Sequence, residues 1–409
     1  MTEAGPVARS SMARVGVATA ITAVCGYAVM YLAARGLDPS GFSVFAVFWG
    51  AFGLVTGAAN GLLQEATREV RSSRHTSGVD GASTRPMWVA AGSGLAAGAL
   101  IAVTAPLWAS HVFAQWRWLS VVLLAVGLAG FCMHATLLGM LAGVGRWTQY
   151  GSLMVTDAVI RVAIAAATFL LGWGLVGFLW ASVGGAVAWM LVLAASGPAR
   201  AAARLRTTGT TREFLRGAAH STTAAAAGAI LVMGFPVLLK ATSGHLGAEG
   251  GVIILAVTLT RAPLLVPLTA MQGNLIAYFV DHRGTRLKSL IAPVAVVLAI
   301  GAVGVLTAGL VGPWLLRVAF GPEYQTGGVL LAWLTAGAVS IAILVVTGAA
   351  AVAAAVHRAY ALGWVSATVA ATALLSLPVD LQTRTVISLV LGPLVGIAVH
   401  LAALTRADT

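Results

Sequence analysis

Only 9% of the residues in this 409-residue chain are charged, against about 25% in an average soluble domain. The charged residues inside long apolar runs are therefore the first candidates for chemistry. Asp157 and Arg161 stand four residues apart in the run 150–171, a spacing that sets them on one helix face and lets them pair. Two readings of the pair are open. It is either a buried ion pair that fixes helix register, or a cavity-facing cation balanced until an anionic ligand arrives. Arg261 lies mid-run in TLTRAPLLVPLTAMQGN, with no acidic residue in its own run and with Pro263 and Pro267 following. Each proline removes a backbone donor and disturbs the preceding turn, so a kink or break is expected there. Gln272 returns to the face of Arg261 at about 3.6 residues per turn. An arginine and an amide on one face of a distorted helix suit a polar cavity better than lipid, where a central charge costs about 2.5–3.5 kcal/mol on insertion scales. A third group closes the run 42–63. There Asn60, Gln64 and Arg68 stack at four-residue steps, with Glu65 on the next face. They form either the cytoplasmic mouth of the same cavity or a plain solvated helix end.

Other chemistry is missing from the sequence. It has no Gly-x-x-x-x-Gly-Lys-Ser/Thr loop, no His-Glu-x-x-His and no Cys/His cluster at metal spacing, so neither a cofactor nor a metal is expected. Cys25 and Cys132 both sit in apolar runs and read as small packing residues. His134, also mid-run, reads as a hydrogen-bonded packing histidine.

The elements that must carry these residues are membrane spans. Hydrophobic residues make up 59% of the chain, and its mean hydropathy is +0.94. A soluble protein of this size could not hide that much apolar surface. A soluble enzyme, a nucleic-acid-binding domain and a secreted disulfide scaffold are excluded on that ground. The net charge of +12 is then a topology signal rather than a sign of a nucleic-acid partner.

Apolar runs long enough for a transmembrane helix occur about twelve times: near 15–34, 42–63, 87–110, 117–142, 150–171 and 174–195, then 218–240, 250–280, 288–311, 326–349, 359–377 and 384–404. The fold expected is all-α and polytopic, with two lobes of six helices. With the N-terminus inside, most of the 24 Lys and Arg residues fall on cytoplasmic segments, and an even number of spans returns the C-terminus inside. The expected domains are 1–200, a basic cytoplasmic linker 201–217, and 218–409. The linker is either an amphipathic helix on the anionic inner leaflet or a solvated connector. Pro106-Leu-Trp followed by Phe113 recurs as Pro313-Trp-Leu followed by Phe320. Two halves of equal orientation imply a pseudo-two-fold axis along the membrane normal, with a central cavity between lobes.

Four short stretches add a family resemblance. Gly36-Leu-Asp-Pro-Ser-Gly41-Phe42 follows the first span, Leu63-Gln-Glu-Ala-Thr-Arg68 closes the second, Arg261-Ala-Pro-Leu lies in the eighth, and Phe320-Gly-Pro-Glu-Tyr324 precedes the tenth. Together with the span count and order, they resemble the multidrug/oligosaccharidyl-lipid/polysaccharide (MOP) exporter superfamily, in particular its polysaccharide-unit flippases. The resemblance implies alternating access and movement of a polyprenyl-(pyro)phosphate-linked glycan across a bacterial inner membrane. It also implies a cationic cavity for the phosphate, for which Arg261 is the matching position and Arg161 is comparable only in depth. It implies a transporter rather than an enzyme, surrounded by membrane lipids and served by glycosyltransferase or polymerase partners. An ion-coupled drug exporter is the first alternative, although neither the first nor the seventh span carries the acidic residue such antiporters often use. A polyprenyl-phosphate-dependent glycosyltransferase is the second, although the first outer loop is short and holds only Asp38.

Overall fold

The computed structural model describes the backbone of residues 9–73, 82–282, 286–354 and 356–408. Residues 74–81, in the middle of the first long polar break, lie outside the described residues. The helices in chain order are α1 (Arg9–Gly36), α2 (Pro39–Ser73), α3 (Pro86–Val112), α4 (Arg117–Gly143), α5 (Trp147–Leu171), α6 (Gly174–Gly184) and α7 (Ala188–Ala195). Then follow α8 (Gly197–Ala203), α9 (Thr211–Val232), α10 (Phe235–Ser243), α11 (Gly247–Ala270), α12 (Gln272–Asp281), α13 (Arg286–Phe320), α14 (Gly328–Ala353), α15 (His357–Leu375) and α16 (Leu381–Asp408).

Each of the twelve apolar runs forms helix, but not all are simple spans. Among the described residues, ten helices are long and apolar enough to cross a membrane, or eleven if α9 and α10, bent by 63°, count as one. The remaining run, 359–377, corresponds to α15, which is 19 residues long and rich in Ala and Thr. It falls short on apolar character rather than on helicity. The run 250–280 also divides. The helix passes through both Pro263 and Pro267 and stops only at Met271, whose N–H donates to the Pro267 carbonyl at 2.9 Å. Each proline deletes its own donor and crowds one carbonyl a turn earlier, which bends a helix without having to end it.

The chain divides into two compact units, one of residues 1–36 and 48–229, the other of 37–47 and 230–409. In the first unit, α3 packs along α4 and α1 along α5. In the second, α13 lies along α14, while α15 and α16 pair and α16 also packs on α14.

The second unit includes Leu37–Val47, the corner between the first two spans. Asp38 caps α2 there, accepting from the Ser40 and Gly41 N–H groups at 3.3 and 3.2 Å. Tyr324 is fully buried against this corner. Its hydroxyl donates to the Leu37 carbonyl at 3.3 Å, and its ring meets Phe42 edge-on at 5.9 Å. Two of the stretches that carry the family resemblance thus form one packed corner. Gly321 turns the chain into it at φ 105°, ψ 170°, a region open essentially to glycine alone. Gly321→Ala is expected to cost about 1–3 kcal/mol, read as a lowered thermal midpoint in detergent. An unchanged midpoint would show that the turn can relax.

Within the linker 201–217 the backbone is partly ordered. After the two turns of α8, Thr207–Thr208 (β2) pairs antiparallel with Ser83–Thr84 (β1), at the far end of the other long polar break. Thr84 Oγ1 donates to the Gly209 carbonyl at 3.0 Å, and Ser73 Oγ accepts from the Thr208 N–H at 2.9 Å. The clasp pairs backbone groups that hydrophobic periodicity does not register. Thr210 then starts α9. Its N–H donates to Glu213 Oε2 at 2.8 Å, and the Glu213 N–H donates to Thr210 Oγ1 at 3.2 Å, a reciprocal capping box. The Thr210 backbone N–H, with its hydroxyl second, holds the Glu213 carboxyl below the usual carboxylate range. A depressed folded value adds stability above the unfolded value, near 4.5, and that stability is lost as pH falls through the folded value. Glu213→Gln is therefore expected to flatten the acid limb of a stability–pH profile and leave neutral pH little changed. An acid limb of unaltered slope would contradict the cap.

Candidate functional site

The second unit contributes Arg261, in the middle of α11 and only 7% exposed. Its Nη1 donates to the Val232 carbonyl at 3.2 Å, and the guanidinium lies over the Phe235 ring at 4.9 Å. Val232 ends α9 and Phe235 begins α10, so the arginine is seated at the break of a discontinuous span. The last carbonyls of a helix have no partner within it and carry partial negative charge. That negative end and the aromatic face both help to balance the cation. Helices broken in mid-membrane, with their ends turned to ions, are a recurring way to build transport sites. Gln272 is half-buried at the start of α12. The interruption at Met271 stands between it and Arg261, so helical periodicity does not carry one face across to the other.

The first unit contributes Asp157 and Arg161 on α5. Arg161 Nε and Nη2 each donate to one Asp157 oxygen, both at 3.0 Å, the planar fork-to-fork geometry that arginine favours. Arg161 Nη1 donates to the Ser182 carbonyl, at the end of α6 where the helix passes into a turn of 3₁₀ helix, Gly185–Val187. The guanidinium also covers the Phe52 ring at 5.2 Å. Gly185 makes this possible, because a Cβ there would overlap Asp157 Oδ1 and stand 2.7 Å from Arg161 Nε. Each of the three guanidinium nitrogens of Arg161 is thus engaged within its own unit. His134 on α4 is buried and stacks on Phe131 at 5.3 Å. Its Nδ1 has no hydrogen-bond partner among the described residues.

At the end of α2, Glu65 is 2% exposed and accepts from Arg68 Nε and Nη2 at 3.0 and 2.6 Å, while Arg68 Nη2 also reaches Glu69 at 2.6 Å. Glu65 lies directly against Gly217 of α9. Asn60 is half-buried, and Gln64 and Arg68 are exposed. The pair on α5 therefore forms as its spacing predicts, and on α2 Glu65 pairs with Arg68 although the four-residue stack leaves it on the next face. Sequence reasoning missed Val232, Phe235, Ser182 and Phe52, because each acts through a carbonyl or a ring rather than a charge. The one available signal was glycine: Gly184-Gly185 and Gly234 mark the two places where a helix gives way to an arginine. Among the described residues, no group of three or more His, Cys, Asp or Glu side chains could hold a metal ion.

No family model matches the chain. It is 68% identical over 405 residues to the Mycobacterium tuberculosis protein Rv3630, covering 99% of this chain and 94% of that protein. It is also 68% identical over 402 residues to Rv1510 of the same species, covering 98% and 93%. Both relatives are described only as uncharacterized proteins. Among solved structures, the chain is similar to the inward-facing conformation of a multidrug resistance MATE family transporter of the MOP superfamily, at TM-score 0.67 and 16% identity over 94% of this chain and 95% of that one. A MOP superfamily transporter from Pyrococcus furiosus follows at TM-score 0.61 and 15% identity, covering 98% and 96%. The outward-facing form of a MATE family transporter gives 0.59 and 16%, covering 97% and 95%. The chain therefore belongs to the family of multi-pass membrane proteins that includes Rv3630 and Rv1510 of Mycobacterium tuberculosis, and it has the fold of the MOP superfamily.

Proposed function

We propose that this protein is a flippase that moves a polyprenyl-(pyro)phosphate-linked glycan from the inner to the outer leaflet of the bacterial cytoplasmic membrane by alternating access. The observation that carries the reading is Arg261, a buried arginine in the middle of α11 seated at the break between α9 and α10, against a helix-end carbonyl and an aromatic ring. Such partners balance the charge at rest, yet give way to a phosphate that offers full negative charge in a bidentate geometry. An unaided phosphate cannot cross about 30 Å of hydrocarbon, so a cation at mid-depth lowers the barrier where it is highest. A drug antiporter fits less well, because a cationic drug would meet a like charge. Asp157, the acidic residue among the proposed membrane-buried contacts, is spent on Arg161.

Both termini and the β1–β2 clasp are cytoplasmic in this reading, on the strength of the arginine distribution. Envelope glycosyltransferases or a polymerase supply and take the cargo. Deletion of the gene in its host tests the function. Lipid-linked glycan is expected to accumulate in the inner leaflet, out of reach of outer-face glycan oxidation, and to return outside on complementation. Unchanged outer-leaflet glycan, with altered drug susceptibility instead, would replace this reading with the exporter.

A further inference from the structure

We infer that the cleft between α11 and α13 holds the polyprenyl chain of the cargo, an inference that rests on the flippase reading above. Two cavities of about 500 and 560 Å³ line up along this cleft and share Pro263, Leu264 and Ile300, so they form one groove. It follows α13 from Ala292 to Phe320, about 40 Å at 1.5 Å rise per residue.

The sequence explains why the cleft is open. Gly301 and Gly312 let α13 press onto α14, where added Cβ atoms would run into Val339 and Leu331. That draws α13 toward α14, while the α11 wall includes Pro263 and Pro267 among its lining residues. The groove floor is buried, as at Leu264, and its rim is open, with Ile300 55% exposed. Thr260 and Thr335 donate within their own helices, to Ala256 and Leu331, both at 2.8 Å. Asn274, Tyr278 and Thr307 are the other polar side chains on walls that are otherwise apolar, so the groove suits hydrocarbon better than a headgroup.

Length selects the occupant. A phospholipid acyl chain reaches about 15 Å, half of the hydrocarbon thickness, and would fill less than half of this groove. A long polyprenyl chain can lie along all of it. The groove passes beside Arg261 where its two cavities meet, since the shared residues Pro263 and Leu264 follow the arginine on the same helix. A chain seated there stays in hydrocarbon while its phosphate is at the arginine.

The test uses proteoliposomes of the full chain and two pyrophosphate-linked disaccharides, one on a long polyprenyl chain and one on a geranyl chain. Ala308→Trp and Ala292→Trp each fill one cavity, and Ala302→Trp on the exposed side of the same helix is the control. The filled variants are expected to raise KM for the long-chain cargo about tenfold, with geranyl cargo and the control variant unaffected. Long-chain transport at wild-type KM in the filled variants would overturn the groove while leaving the flippase reading intact. Failure of the wild type to move either cargo would overturn both. A second measurement does not depend on the variants. A long-chain polyprenyl phosphate with diazirines along its chain should label α11 and α13 peptides of the wild type, and labelling confined to other helices would also reject the groove.

Discussion

Arg261→Ala should abolish movement of lipid-linked glycan while the protein still inserts and keeps its thermal midpoint within a few degrees. The reason lies in what the guanidinium touches. Among its partners are the Val232 carbonyl at the end of α9 and the Phe235 ring, both of which tolerate its loss, since a helix-end carbonyl without a partner is common. A phosphate in low dielectric has no such tolerance, and losing its cation costs the bidentate, charge-assisted bonds. Transport by vesicle assay should fall by at least two orders of magnitude, matching about 3 kcal/mol or more at 1.4 kcal/mol per tenfold. Arg261→Lys should recover only part of it, because an ammonium restores charge without the planar fork. Full transport by a folded Arg261→Ala protein would remove the arginine from the cargo site.

The largest loss of stability is expected at Arg161. Removing its side chain leaves the Asp157 carboxylate, which is only 9% exposed, without its cation. Breaking a buried pair in this way typically costs about 3–5 kcal/mol, whereas replacing both partners is often much milder. Arg161→Ala should therefore lower the thermal midpoint more than the double Asp157→Ala/Arg161→Ala variant does. Because all three donor positions of Arg161 are used inside its own unit, the double variant should also retain transport. A double variant that is folded but inactive would instead put the pair in the cargo path. Between the two readings of this pair that the sequence leaves open, the geometry favours the register-fixing one.

Spans and the four-residue pair Asp157–Arg161 were legible in the sequence, because both follow from helical periodicity and from the cost of charge in lipid. The Glu65–Arg68 pair was not, since the stack of Asn60, Gln64 and Arg68 leaves Glu65 on the next face. The α9–α10 break was not legible. Its marker is Gly234, followed by Pro236, inside an apolar run, and its partner Arg261 is 29 residues away in sequence. The interruption at Met271 was not legible either: the prolines announce a kink or a break, and the helix runs on through both because a proline's penalty falls on single bonds rather than on the whole ladder. The clasp of Ser83–Thr84 with Thr207–Thr208 was invisible for a different reason. It joins backbone to backbone across two polar loops, and neither loop has a hydrophobic pattern to announce it. The Tyr324–Leu37 corner lay between these cases, since its two motifs stood out by resemblance while their contact did not.

The central claim is that this chain carries an anionic lipid-linked glycan, and purified protein in liposomes tests it most directly. A fluorescent polyprenyl-pyrophosphate glycan placed in both leaflets is exposed to an impermeant quencher outside. With the wild-type protein the protected inner pool should become accessible within minutes, and with Arg261→Ala it should stay protected as in protein-free liposomes. An inner pool that remains protected in the presence of folded wild-type protein, with an imposed ion gradient or without one, would contradict the account.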